Sequence, residues 1–162
     1  PVYVSLYSAR GAVVSWMNFA DLSSSDVSGS LVWIKQAGAS AASYSAGFTN
    51  ETKAVGSFYV APTGAGKVLK LSGAEVKFSG GELAANFSNL VSVNAGSSVV
   101  NLSLNALTLT ISPTLGSFTG QVQKPGTSMK HNFGGVVLQK QNVGSGFMTG
   151  INASSRVVIA AP

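Results

Sequence analysis

The sequence predicts an all-β fold, in which an antiparallel meander curls into a barrel or a two-sheet sandwich within a single domain. Three observations predict it. Apolar and polar residues alternate with a period of two in many short segments, Gly, Ser and Asn separate those segments every ~8–15 residues, and no stretch shows an apolar period of about 3.6 residues over helical length. Disorder is excluded, because 45% of the residues are hydrophobic and only 9% are charged.

The first part of the chain contains the clearest alternation. Val2–Ser8 and Ala12–Phe19 alternate on either side of a short break, and Ser30–Gln36 carries the apolar run LVWI. We expect a strand in each of these segments. The Ala-rich segment Ala37–Ala46 is the one place where a helical turn could form, but its Gly and Ser content favours a loop.

The rest of the chain repeats the strand pattern with turn residues between the repeats. The segments are Val55–Val60, Val68–Leu71, Ala74–Ser79, Leu90–Val93, Ser98–Leu104, Leu107–Ser112, Ser117–Gln123, Lys130–Lys140, Gly146–Gly150 and Arg156–Ile159.

One hairpin register follows from pattern and charge together. If the Ser-Gly pair at residues 72–73 forms a two-residue turn, Lys70 lies opposite Glu75 on one face and Leu69 lies opposite Val76 on the other. A slip by one residue would place Lys70 and Glu75 on opposite faces. The sequence therefore predicts a Lys70–Glu75 cross-strand pair.

A second connection lies between Ser98–Leu104 and Leu107–Ser112. The apolar phase of the alternation flips between Asn105 and Ala106, which indicates a tight turn or a bulge. Pro113 is expected to end the second strand, because proline has no amide hydrogen for the ladder.

Length and composition limit the class of protein. A chain of 162 residues suits one domain, so residues 1–162 are expected to form a single β-domain. The longest apolar runs fall far short of the roughly 20 residues that a membrane-spanning helix needs, and no membrane span is expected. The chain begins at Pro1 without Met or a signal peptide, so we expect a processed fragment or a module of a longer secreted protein.

The net charge of +5 raises the question of nucleic-acid binding. Strong phosphate binding needs a cluster or stripe of basic residues, whereas the Lys and Arg residues here are dispersed along the chain. No nucleic-acid partner is expected.

Four stretches together carry a family resemblance: Pro1–Phe19 (PVYVSLYSARGAVVSWMNF), Gly29–Gln36 (GSLVWIKQ), Tyr44–Tyr59 (YSAGFTNETKAVGSFY) and Phe133–Gly150 (FGGVVLQKQNVGSGFMTG). The chain resembles a recurrent all-β domain of large secreted or surface-exposed proteins of Verrucomicrobia and related bacteria. The resemblance implies an extracellular or cell-surface module with a structural or adhesive role, and it implies no catalytic residue.

Side chains that could perform catalysis are scarce, with one His, no Cys and five carboxylates. The segment at residues 63–67 lacks the full phosphate-loop pattern and predicts a strand-connecting loop. We expect His131 to be exposed at a strand end, without the orienting carboxylate and nucleophile that a general base would need. We therefore expect no enzyme, no cofactor and no metal site. The acidic residues considered and interpreted as structural are Asp21, Asp26, Glu75 and Glu82.

Aromatic residues are the remaining candidates for contact with a ligand. A sugar-stacking platform is one interpretation, and packing in the core or across strands is the more ordinary one. Tyr3 and Tyr7 are expected to share one face of a strand, and exposed aromatics would be sought there first. The candidate ligand or contact aromatics are Tyr3, Tyr7, Trp16, Trp33, Tyr44 and Tyr59.

These observations predict a non-catalytic extracellular structural or adhesive β-module. Its expected partners are copies of itself or neighbouring β-modules, joined through edge strands at Val2–Ser8 or Arg156–Ile159. One alternative is a β-barrel that holds a glycan or small apolar ligand between Trp and Tyr in its mouth. A further alternative is a viral or phage coat protein.

Overall fold

The computed structural model describes residues 1–38 and 43–162. Its strands form antiparallel sheets, which confirms the predicted all-β fold class. The chain divides into two compact units, Pro1–Phe58 and Tyr59–Pro162. We call them the N-terminal unit and the C-terminal unit and describe each by itself.

The N-terminal unit is a four-stranded meander in which each strand pairs antiparallel with the next along the chain. β1 and β4 are therefore the edge strands. The strands are β1 (Val2–Leu6), β2 (Gly11–Phe19), β3 (Val27–Lys35) and β4 (Phe48–Gly56).

The predicted strand at Val55–Val60 is wrong, because β4 occupies Phe48–Gly56 instead. Residues 49–53 of β4 are all exposed, so neither face of this strand needs a run of apolar side chains. Its sequence, FTNETKAVG, consequently gives a weak strand signal. The expected loop at Ala37–Ala46 includes residues 39–42, which lie outside the described residues.

The strand register assigns each side chain of the N-terminal unit to one of two faces. Directly opposed residues share a face, so Val4, Val13 and Trp33 lie on one side of the sheet. We call this side the Trp33 face and the other the Trp16 face. Among the described residues of this unit, Ser15 and Ser25 are the fully buried ones, so the sheet has no buried apolar core there.

The C-terminal unit is an eight-stranded antiparallel sheet with the order β7-β6-β5-β12-β11-β10-β9-β8. The two end strands, β7 and β8, contact each other, so the sheet is nearly closed into a barrel. A 3-10 turn at Ala95–Ser97 precedes β7. The strands are β5 (Gly73–Ser79), β6 (Phe87–Val93), β7 (Val99–Asn101), β8 (Leu107–Ser112), β9 (Ser117–Gln123), β10 (Lys130–Leu138), β11 (Val143–Met148) and β12 (Ser155–Ala160).

Aromatic rings and glycines fill the interior of this sheet. The Phe78 ring lies edge-on to Phe133 at 5.2 Å between centroids, and both are buried. A Cβ atom on Gly135 would lie 2.6 Å from Cζ of Phe118, and one on Gly120 would lie 2.5 Å from Cζ of Phe133. The interior is thus packed with side chains, and glycines in the opposing strands leave the space that the rings occupy.

An asparagine cluster joins β6 to the β7–β8 connection. Buried Asn89 donates from Nδ2 to the Asn105 carbonyl oxygen at 2.7 Å, and Asn105 donates from Nδ2 to Oδ1 of Asn89 at 3.1 Å. Asn101 donates to the same Asn105 carbonyl at 2.8 Å. Because these side chains bond the main chain locally, β7 ends at Asn101. The predicted continuation of this strand to Leu104 is therefore wrong. β8 ends before Pro113, as predicted.

The predicted Val68–Leu71 strand and its hairpin with Ala74–Ser79 are wrong. Val68 and Leu69 are buried, but in an irregular segment whose main-chain groups bond side chains: the Val68 amide donates to Oγ of Ser97 at 2.9 Å, and the Lys70 amide donates to Oδ1 of Asn142 at 2.8 Å. Apolar content here reflects burial and not strand pairing. β5 pairs instead with β6 and β12.

Further differences from the prediction lie at the end of β10, at the start of β11 and in the edge assigned to β12. A turn follows β10, in which the Asn142 amide donates to the Gln139 carbonyl at 3.1 Å, so β10 ends at Leu138 and β11 begins at Val143. β12 pairs with β5 on one side and β11 on the other, so the expected edge at Arg156–Ile159 is wrong. Among the described residues, no helix is long and apolar enough to cross a membrane.

The packing inside the eight-stranded sheet predicts a difference between two Gly→Ala substitutions. In Gly135→Ala the new methyl group would lie 2.3 Å from the Ser145 carbonyl oxygen, so we expect a loss of about 2 kcal/mol in the free energy of unfolding. Gly73→Ala is the control, because its nearest contact would be 3.8 Å away. Urea denaturation followed by circular dichroism measures both, and equal stability of the two variants would contradict the packing described.

Candidate binding surface

Aromatic side chains meet at one end of the Trp33 face. Trp33 lies edge-on to Phe48 with 5.2 Å between ring centroids, and Phe48 lies edge-on to Tyr44 at 5.3 Å. The Lys35 ammonium is 5.6 Å from the centroid of Tyr7 and donates a hydrogen bond of 2.8 Å to the Tyr44 carbonyl. We call Tyr7, Trp33, Tyr44, Phe48 and Lys35 the aromatic patch.

The turn between β1 and β2 positions the Tyr7 ring. Tyr7, Ser8 and Ala9 all have positive φ, of 56°, 54° and 65°. This left-handed run folds the ring back over Gly11, where a Cβ atom would lie 2.7 Å from Cδ2 of Tyr7. Gly11 is opposite Lys35 in the register, so the glycine leaves the space that Tyr7 needs beside the lysine.

The patch is accessible and has polar groups beside its rings. Trp33 is 37% exposed, and Tyr7 and Tyr44 are each 41% exposed. Asn50 lies directly opposite Trp33 on the edge strand β4 and is exposed. Rings that can stack, next to an amide that donates and accepts and an ammonium that donates, form a surface suited to a hydroxyl-rich ligand with apolar faces.

The sequence-predicted aromatics separate into three groups. Tyr7, Trp33 and Tyr44 come together in the patch. Tyr3 and Trp16, 70% and 71% exposed, lie on the Trp16 face instead. Tyr3 and Tyr7 do not share a strand face as expected, because β1 ends at Leu6 and Tyr7 belongs to the turn.

Tyr59 belongs to the C-terminal unit and packs against its core. Its ring lies over Gly116, and its hydroxyl donates to the Pro113 carbonyl. Desolvation by burial raises the pKa of this phenol. Phe48 was not among the predicted contacts, because its place beside Trp33 depends on the β3–β4 register, and no β4 was predicted there.

Several acidic side chains bond to the main chain or to neighbouring side chains. Glu82 accepts the amides of Ile151 at 2.7 Å, Asn152 at 2.5 Å and Ala153 at 3.2 Å. The hydrogen bonds from the main chain, that of Asn152 foremost, hold the pKa of Glu82 below its usual range. In the N-terminal unit, Oδ2 of Asp26 accepts the Phe58 amide at 2.6 Å.

Glu75 makes an ion pair with Lys77 on its own strand at 3.0 Å, and not the predicted pair with Lys70. Hydrogen bonds from Ser88 and then Lys77 lower the pKa of the Glu75 carboxyl. Glu75 and Lys77 line a shallow groove of about 410 Å³ on the outside of the eight-stranded sheet, together with Phe87 and Arg156.

Lys67 and His131 also serve the structure of the C-terminal unit. Lys67 donates to the carbonyls of Leu71 at 2.9 Å and Val93 at 2.5 Å, and its segment at residues 63–67 is a loop between strands, as predicted. His131 lies in β10 opposite Val122, half-buried and not exposed as predicted, with Nδ1 3.3 Å from the Thr149 carbonyl oxygen. In residues 1–38 and 43–162, no His, Asp and Glu side chains group as a metal-binding cluster.

No family model, curated protein or solved structure matches this chain.

The Glu82 contacts predict a pH-dependent effect on stability. The pKa of Glu82 is lowered in the folded chain. The ionised carboxylate therefore stabilises the fold fully above the ordinary glutamate pKa of 4.5, and this stabilisation is lost as the pH falls through the lowered pKa. Glu82→Gln should therefore lower the melting temperature at pH 7, and the difference from the native chain should shrink in acid.

Thermal unfolding across pH 2–8 measures this dependence. Glu51→Gln, at an exposed position of β4, is the control for the loss of one carboxylate. A Glu82→Gln effect that stays constant down to the lowest pH would contradict the role of the ionised carboxylate.

Proposed function

We propose that this chain is a non-catalytic extracellular structural or adhesive β-module that makes its contacts through the four-stranded sheet of the N-terminal unit. The aromatic patch carries the proposal. It places Tyr7, Trp33 and Tyr44 together with accessible ring surface, in a unit whose described residues include no fully buried apolar side chain. Exposed aromatic clusters of this kind are typical of interaction surfaces.

The division of packing between the units supports the same proposal. The C-terminal unit contains the buried apolar core, with Phe78, Phe118 and Phe133 inside its nearly closed sheet. The N-terminal unit instead exposes large apolar side chains on both faces, such as Trp16 and Phe19. A unit that buries little of its own apolar surface gains most from burial against a partner.

An extracellular location belongs to the proposal and is supported by the resemblance to bacterial surface-protein domains. The carboxylates of Glu82 and Asp26 already accept main-chain amides, so they stabilise the fold.

A glycan is the second candidate partner, favoured by the chemistry of the patch. Trp33 and Tyr44 offer ring faces, and Asn50 and Lys35 offer hydrogen-bonding groups beside them. The two tryptophans, Trp16 and Trp33, belong to the four-stranded sheet and not to the eight-stranded one. A ligand held by tryptophan would therefore lie on the N-terminal unit and not in a barrel mouth.

Binding to immobilised polysaccharides and to bacterial envelope material tests the proposal. Trp33→Ala should weaken binding by at least about tenfold, because an aromatic side chain that becomes buried on binding commonly contributes that much to the affinity. Trp16→Ala is the matched control, since Trp16 is the more exposed tryptophan but lies on the opposite face. Equal losses from both variants, or no loss from Trp33→Ala, would contradict the patch as the contact surface.

A further inference from the structure

We propose that β4 pairs edge to edge with β4 of a second copy of this chain, antiparallel and two-fold symmetric, with Thr52 opposite Thr52. This joins two four-stranded sheets into one continuous sheet. The inference deepens the proposed function and rests on it in one respect: both require the four-stranded sheet to be accessible to a partner.

The β4 edge is open. β4 pairs with β3 on one side and, among the described residues, has no strand on its other side. Residues 49–53 are exposed in succession, and successive side chains of a strand point to opposite faces. The strand is therefore uncovered on both faces as well as along its edge, which is the condition for adding another strand.

The hydrogen-bonding phase of the sheet shows which β4 residues offer main-chain groups to a partner. The Gln36 amide donates to the Arg10 carbonyl at 2.9 Å, and the Ala20 amide donates to the Asp26 carbonyl at 3.0 Å, both in the β2–β3 register. Even-numbered residues of β3 thus bond β2 and odd-numbered ones bond β4.

In the β3–β4 register, this alternation means that the amides and carbonyls of the even-numbered β4 residues point towards β3. Trp33 is opposite Asn50, and Leu31 is opposite Thr52. The outward amides and carbonyls of β4 are those of Thr49, Glu51, Lys53 and Val55.

Charge selects one register among the symmetric pairings. A two-fold axis at Glu51 would oppose two glutamates, and one at Lys53 would oppose two lysines, and like charges directly opposite each other are destabilising. An axis at Thr52 opposes Glu51 of each copy to Lys53 of the other, on the Trp16 face and in pairs whose main chains also exchange hydrogen bonds.

The remaining neighbours in this register are compatible. Thr52 faces Thr52 across a non-hydrogen-bonded pair, a favourable cross-strand combination. Asn50 faces Ala54, and Phe48 faces Gly56, whose missing side chain leaves space for the ring. The sequence of β4 is thus complementary to itself around Thr52.

β1 is the less suitable edge for a second copy. By the same phase, its outward main-chain groups belong to Tyr3 and Ser5, and the strand carries no charged residue to select a register. Pairing of β1 with β4 of another copy would be heterologous and would produce open chains of molecules, whereas β4 with β4 closes at the dimer.

A disulfide trap tests the register, because the chain contains no cysteine of its own. In Thr52→Cys the two thiols would lie across a non-hydrogen-bonded pair with Cα atoms ~4.5 Å apart, within disulfide range. We expect rapid oxidation to a covalent dimer. Asn50→Cys is the control, since the two residues at position 50 would be displaced from each other along the strands and should remain reduced under the same conditions.

Charge reversal tests the interaction itself by analytical ultracentrifugation from micromolar to millimolar concentration. Lys53→Glu places two glutamates opposite each other at both pairs, so we expect the dimer dissociation constant to rise about tenfold or more. Adding Glu51→Lys to Lys53→Glu exchanges the charges and should restore both the dimer and the Thr52→Cys cross-link. Lys130→Glu, on β10, is the control for net charge and should leave dimerisation unchanged.

Three results would overturn the inference: a monomer at millimolar concentration, equal cross-linking of Thr52→Cys and Asn50→Cys, or a double reversal as weak as the single one. All of these measurements use the isolated chain without polysaccharide. Failure of polysaccharide binding would therefore contradict the proposed function and leave the dimer result standing, and the converse also holds.

Discussion

Antiparallel main-chain hydrogen bonding is the constraint on which both sheets depend. In this ladder each residue directs its amide and carbonyl to the same neighbour, so fixing the phase at one pair of strands fixes it across the sheet. The bond from Gln36 to Arg10 therefore determines which groups β4 leaves without a ladder partner, two strands away. The nearly closed eight-stranded sheet places β7 and β8 together and limits its open edge, whereas the four-stranded sheet retains two edges.

The two units share a low-charge composition but place their glycines and aromatic rings differently. In the C-terminal unit, glycines such as Gly120 and Gly135 admit phenylalanine rings, so a sheet of modest size encloses a dense core. In the N-terminal unit, Gly11 performs a related role at the surface, because it admits the Tyr7 ring beside Lys35 and thereby completes the aromatic patch. The rings are thus interior in the C-terminal unit and accessible in the N-terminal unit.

The fold class and the strongly alternating strands were predictable from sequence, because period-two alternation directly encodes which side chains face a core. Leu107–Ser112 and Ser117–Gln123 were predicted with their observed bounds for that reason. Pattern failed where burial and pairing separate. Leu69 is buried without belonging to a strand, and the exposed strand β4 has a polar sequence. The aromatic patch was predictable only as a set of residues, since its assembly depends on the β3–β4 register and on the left-handed turn at Tyr7.

Residue-resolved hydrogen exchange of β4 in dilute solution tests the ladder phase most directly, before any pairing between copies. The account predicts that the amides of Asn50, Thr52 and Ala54 are protected by β3, while those of Thr49, Glu51, Lys53 and Val55 exchange at rates close to those of an open chain. Uniform protection along β4, or protection with the opposite alternation, would contradict the phase from which the free edge and its partner register follow.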